Sequence, residues 1–160
     1  MNIVFWLPFA SAVLHIFEEF VWPGGFLEWY RRYRPEIASS LTPRFVIVVN
    51  AILLGATFLL GYLGPSWSRG LSLWLIIAAL LGGNAVFHLV AVLRLSQYSP
   101  GVVTGLLLYV PLCGWGYWYF IGTGEAPWSM AAVSFILGSS YQFWSILSHR
   151  RRSAAAARGA

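Results

Sequence analysis

Residues 70–93 read GLSLWLIIAALLGGNAVFHLVAVL, a run without one charged side chain. As a helix rising 1.5 Å per residue it reaches about 36 Å, enough to cross a hydrocarbon core of about 30 Å. The run therefore predicts a membrane helix, and the rest of the chain agrees with it. Of the 160 residues, 59% are hydrophobic and only 9% charged, against about 25% charged in an ordinary soluble domain. A disordered chain, a disulfide scaffold and a cytosolic dinucleotide-binding enzyme are all excluded by that balance. The single cysteine, Cys113, has no partner for an internal disulfide and lies in an apolar run where burial is its ordinary fate.

Working outward, similar runs cover Asn2–Trp22, Arg44–Leu63, Val102–Ile121 and Pro127–Leu147. The sequence thus predicts an all-α bundle of five membrane helices over residues 1–149, with 150–160 as a basic, disordered tail. The first run carries two carboxylates and lacks the basic start and cleavage site of a signal peptide, so it is read as a mature helix. The one long linker, Pro23–Pro43, begins Pro-Gly-Gly and holds Arg31, Arg32 and Arg34. With five spans, the linker, the 94–101 turn and the tail share one face and, with Arg44 at the start of the second span, hold nine of the ten Arg, leaving Arg69 opposite. The positive-inside rule makes that face cytoplasmic, with the N-terminus outside and the C-terminus inside. The expected location is a bacterial cytoplasmic membrane. Trp29, Tyr30 and Tyr33 beside those linker arginines read as an interfacial anchor, and His149, beside three Arg, reads as solvated. Nucleic-acid binding is not expected, because the basic residues lie at the membrane edges.

Ionisable groups inside a span cost about 2.5 to 3.5 kcal/mol each on insertion scales for Asp, Arg and Lys, so they mark function by default. The first span holds His15, Glu18 and Glu19 in HIFEE. At about 100° per residue, Glu18 falls about 60° to one side of His15 and Glu19 about 40° to the other, on one face. The third span holds Asn84 and His88, four residues apart and also on one face. Both spans run toward the cytoplasm. Counted from each midpoint, His15 is level with Asn84 at about 4 Å depth and Glu19 with His88 at about 10 Å. Asn50, Thr104, Tyr141 and Gln142 fall in the same half, which predicts one polar pocket facing the inner leaflet.

The run His15, Glu18, Glu19 resembles the signature of the HXXEE-domain family of small multi-pass membrane proteins. The downstream Asn84, His88 and Pro100-Gly101 resemble that family's later conserved pattern, so the likeness covers most of the chain. It implies an intramembrane, enzyme-like site without settling a reaction. A looser, fold-level likeness links the pocket to five-span sterol isomerases.

Three chemistries fit these residues. His15, His88 and Glu19 can ligate a divalent metal, Zn or Fe, with open positions left over, Glu18 either completing the ligand set or orienting it. Without metal, a buried Glu paired to His can exchange protons with an apolar substrate. The same side chains can also merely tie helices together. The expectation is an enzyme, of isomerase, cyclase or hydrolase type, using His15, Glu18, Glu19 and His88 on a lipophilic molecule held by Asn84, Asn50, Thr104, Tyr141 and Gln142. A small proton-coupled transporter is the alternative, and the chain would have to form a homo-oligomer to make a conduit.

Overall fold

The computed structural model describes residues 3–158. A short 3-10 turn, Ile3–Trp6, leads into α1 (Leu7–Phe20). Then come α2 (Phe26–Tyr33), α3 (Pro43–Leu63) and α4 (Gly70–Leu95). A continuous helical segment follows: α5 (Val102–Thr104), a π-helical turn (Gly105–Tyr109) and α6 (Val110–Gly122). Finally α7 (Trp128–Ser139) and α8 (Tyr141–Arg158) run to the end.

Local chemistry accounts for the breaks. Thr42 accepts the Phe45 N–H at 3.2 Å and Pro43 follows it, a capped start for α3. Ser96, at φ +50°, ends α4 in the left-handed conformation. The π turn precedes Pro111, whose ring lacks an N–H and crowds the carbonyl four residues back; a locally wider helix accommodates that proline within an apolar run.

Among the described residues, four helical stretches are long and apolar enough to cross a membrane: Ile3–Phe20, Pro43–Ser66, Gly70–Leu95 and Trp128–Ala155. The protein is an integral membrane protein. The fifth apolar run, Val102–Gly122, is helical along its length but divided by the π turn. Outward faces match a lipid solvent: Val13, Leu14 and Phe17 of α1, and Ile47, Ile52, Phe58 and Leu59 of α3, are exposed. Helix α4 is the central post, burying Trp74, Leu75, Ala78, Leu81, Ala85 and His88. Its packing with α7 is so close that a methyl group on Gly138 would overlap the Ile76 carbonyl oxygen.

Three expectations need correction. The linker helix α2 is no mere surface anchor, since Trp29 and Tyr30 are buried with Ile37, Leu41 and Ala91 while Arg31 reaches across to the Leu41 carbonyl at 2.6 Å. The expected disordered tail is helical to Arg158, because its Arg and Ala residues are strong helix formers that simply continue α8. Residues 159 and 160 lie outside the described residues. His149 is 1% exposed rather than solvated; it packs on the Phe45 ring, and its Nδ1 lies 2.7 Å from Ser40 Oγ.

Candidate metal centre

The α1 periodicity turns His15, Glu18 and Glu19 inward, where all three are buried, and α4 presents Asn84 and His88 to them. Glu19 sits between the imidazoles: its Oε1 is 3.4 Å from His15 Nε2 and 3.2 Å from His88 Nε2. The ligand atoms of these three residues all lie within 4.8 Å of one another, so the group can hold a metal ion. Ligands on a tetrahedral ion with arms of about 2.0 to 2.2 Å are about 3.3 to 3.6 Å apart, close to the two separations seen here. His88 Nε2 is buried and makes no aligned hydrogen bond among the described residues, its contact at 3.2 Å with Glu19 being an ion-pair approach without hydrogen-bond alignment.

Each imidazole is held from behind. His88 Nδ1 lies 2.8 Å from Ser99 Oγ, and His15 Nδ1 lies 2.9 Å from Thr104 Oγ1. The Thr104 hydroxyl donates its one proton to the Glu18 carboxylate, so toward His15 it can only accept. His15 therefore carries its proton on Nδ1 and turns the Nε2 lone pair toward Glu19, the tautomer a metal ligand needs. Asn84 Nδ2 approaches that lone pair at 2.9 Å, and Gln142 Nε2 donates to Asn84 Oδ1 at 2.9 Å, which orients the amide.

Glu18 faces elsewhere. It accepts the N–H groups of Val103 at 3.1 Å and Thr104 at 2.7 Å, together with the Tyr98 and Thr104 hydroxyls. It thus caps α5 from another helix, where a carboxylate meets the exposed N–H groups and the positive end of the helix dipole. Burial and the bond to Glu18 push the Tyr98 phenol above its usual range, so it stays a donor. Just before this cap, Gly101 has φ +99°, and a Cβ there would come within 2.8 Å of His15 Cε1 and 2.9 Å of His88 Cε1. Only glycine lets the backbone pass beneath both rings.

A cavity of about 470 Å³ opens beside the centre, and His15, Glu19, Asn50, Asn84, Tyr141 and Gln142 line its polar part. Thr104 does not line it, serving instead as the link between Glu18 and His15; Glu18 and His88 lie behind the wall as well. The remaining lining is mostly apolar, with Leu53, Ala56, Ile76 and Leu80 among it. Sequence reasoning missed several participants. Tyr109 covers His15 with ring centroids 4.4 Å apart, and Trp29 stacks on His88 at 5.8 Å. Ser99 and Tyr98 hold the site from the loop after α4. Their only sequence signal is position, since Tyr98 and Ser99 immediately precede Pro100-Gly101.

No solved structure matches the chain. A protein of Bacillus subtilis (strain 168) described as "Uncharacterized protein YrkK" is 30% identical over 106 residues. That match covers 64% of this chain and 65% of the relative, less than two thirds of its length. Residues 6–116 match the family described as "Protein of unknown function with HXXEE motif", a stretch that includes His15, Glu18, Glu19, Asn84, His88 and Gly101 but ends before Tyr141 and Gln142. With the motif's histidine and second glutamate in one buried group and its first glutamate capping α5, the chain belongs to the HXXEE family.

Proposed function

We propose that the protein is a metal-dependent intramembrane enzyme acting on a lipophilic substrate. The observation that carries this reading is the buried His88 Nε2, without a hydrogen bond, beside a carboxylate oxygen shared with His15. Leaving such a group unsatisfied costs about 1 to 3 kcal/mol, and a cation between the three side chains removes that cost. His15, Glu19 and His88 are the ligands in this reading, with Zn or Fe as the ion. Two imidazoles and one carboxylate leave a position open for water, which favours hydrolase-type over isomerase or cyclase chemistry. When bound, such an ion supplies Lewis acidity and a water of lowered pKa. The chain's own residues do the rest. Thr104 and Glu18 hold the His15 tautomer, Ser99 orients His88, and the apolar wall takes hydrocarbon and excludes water. Asn84, whose Nδ2 lies 2.9 Å from His15 Nε2, would give up that contact if His15 held an ion, and its amide would then be free to meet substrate.

The proposal includes a fifth span, Val102–Gly122, the π turn notwithstanding. Nine of ten arginines then face the cytoplasm, and substrate enters from the inner leaflet of a bacterial cytoplasmic membrane. Metal analysis of purified protein tests the central claim. Wild type should carry about one equivalent of Zn or Fe per chain, and His88→Ala should lose most of it, since three ligands are the minimum for such a site. Equal, near-zero content in both would leave proton exchange between Glu19 and the imidazoles as the better chemistry.

A further inference from the structure

Tyr109 is fully buried, yet its hydroxyl has no hydrogen-bond partner among the described residues. It also lines the cavity, beside Glu19 and Asn50, with its ring against His15. A buried phenol is ordinarily hydrogen-bonded, so one left unpaired on a residue that lines a cavity marks where a ligand atom belongs. The backbone is arranged to put it there. Tyr109 is the last residue of the π turn, and such turns insert an extra residue that rotates the side chains following it.

The neighbouring charges narrow the ligand. Among the described residues no arginine lines this cavity; Arg152, which stacks on the Phe45 ring, is not part of the lining. By contrast, the groove between α4, α6, α7 and α8 has both Arg34 and Arg94 in its wall. A phosphate or carboxylate head entering the metal-free cavity would meet the Glu19 carboxylate with no guanidinium beside it; the rest of the polar lining is phenols, amides and the Ser145 hydroxyl, with the imidazoles of His15 and His149. Neutral donors suit a neutral oxygen. The geometry points to Tyr109 as the hydrogen-bond donor to an uncharged oxygen, hydroxyl or carbonyl, at the head of an apolar molecule whose hydrocarbon lies along Leu53, Ala56, Ile76 and Leu80. This rests on the reading that a lipophilic molecule fills the cavity, and the charge argument is made for the metal-free protein, because a divalent cation on His15, Glu19 and His88 would itself attract an anionic head.

Photolabelling of chelator-treated, metal-free protein in phosphatidylcholine nanodiscs tests it, using diazirine analogues of hexadecanol and of hexadecanoate with labelled residues mapped by mass spectrometry. The alcohol should label cavity residues of α3 and α4 in wild type, and the carboxylate should do so at least about tenfold less. Tyr109→Phe should cut the alcohol's labelling about tenfold, the fold-change of one lost hydrogen bond. The same variant should melt at or above the wild-type temperature and keep the wild-type metal content, because it removes only an unpartnered oxygen. A purely structural tyrosine would leave labelling unchanged, and that result, or equal labelling by the carboxylate, overturns the inference. Absence of cavity labelling by either probe in wild type would instead sink the lipophilic-substrate reading on which it stands.

Discussion

The two glutamates of the motif, adjacent in sequence, have separate jobs because the helix turns about 100° between them. Glu19 faces the imidazoles and Glu18 faces the start of α5. Glu19→Gln should therefore abolish metal retention while the protein stays folded in detergent, since Gln keeps the shape but loses the charge. Glu18→Gln should instead lower the melting temperature, because bonds to a charged acceptor are worth about 1.5 to 3 kcal/mol each and an amide replaces only part of them. Thermal melts and metal analysis on both variants decide the matter; metal loss from Glu18→Gln at an unchanged melting temperature would reverse the roles. Thr104 makes a sharper case, as its hydroxyl is the only bridge between Glu18 and His15 Nδ1 among the described residues. Thr104→Val keeps the volume and deletes the bridge, so metal affinity should fall about 10- to 100-fold, and Thr104→Ser should restore it.

At the scale of elements, the decisive piece is the Pro100-Gly101 turn that brings α5 under the two rings. Gly101→Ala should cost both stability and metal, since the new Cβ is strained at φ +99° and meets both histidines. Gly114→Ala in α6 is the matched control: nothing lies within 4 Å of its Cβ position, so the melting temperature should hold or rise slightly. Comparable losses from both would mean that the turn is not special. These elements also show what a sequence can disclose. The shared faces of His15, Glu18 and Glu19, and of Asn84 and His88, follow from helical periodicity alone, and level depths followed from span lengths. Tyr109 was hidden because the π turn, which begins three residues after α5 does, breaks that periodicity before Tyr109 is reached. Trp29 was hidden for another reason. Aromatic residues beside arginine look like an interfacial anchor in any sequence, and only tertiary packing turns Trp29 and Phe26 onto His88. The helical tail was misjudged because low hydrophobicity suggests disorder, while helix propensity and the Ser39–Ser153 and Glu36–Arg150 contacts act in the opposite direction.

For the whole molecule, the outstanding quantity is the number of crossings. Helices α1, α3 and α4 are uninterrupted and apolar, and α7 with α8 makes a fourth stretch of sufficient length. Whether Val102–Gly122 crosses as well decides on which side the tail emerges. If it crosses, the linker arginines, Arg94 and the α8 arginines all share one face; if it does not, Arg150, Arg151 and Arg152 are parted from Arg31, Arg32 and Arg34. The contacts favour sharing, since Arg150 lies 3.8 Å from Glu36 and Ser153 bonds Ser39, both in the linker segment. Two segments that touch outside the hydrocarbon must lie on the same side of it. Reporter fusions after Gly64 and Gly122 should accordingly read as external and a fusion at the C-terminal Gly159, beyond the described residues, as cytoplasmic. An external reading at Gly159 with an external reading at Gly64 would leave an even number of crossings, and the linker contacts of α8 could not then exist in a bilayer.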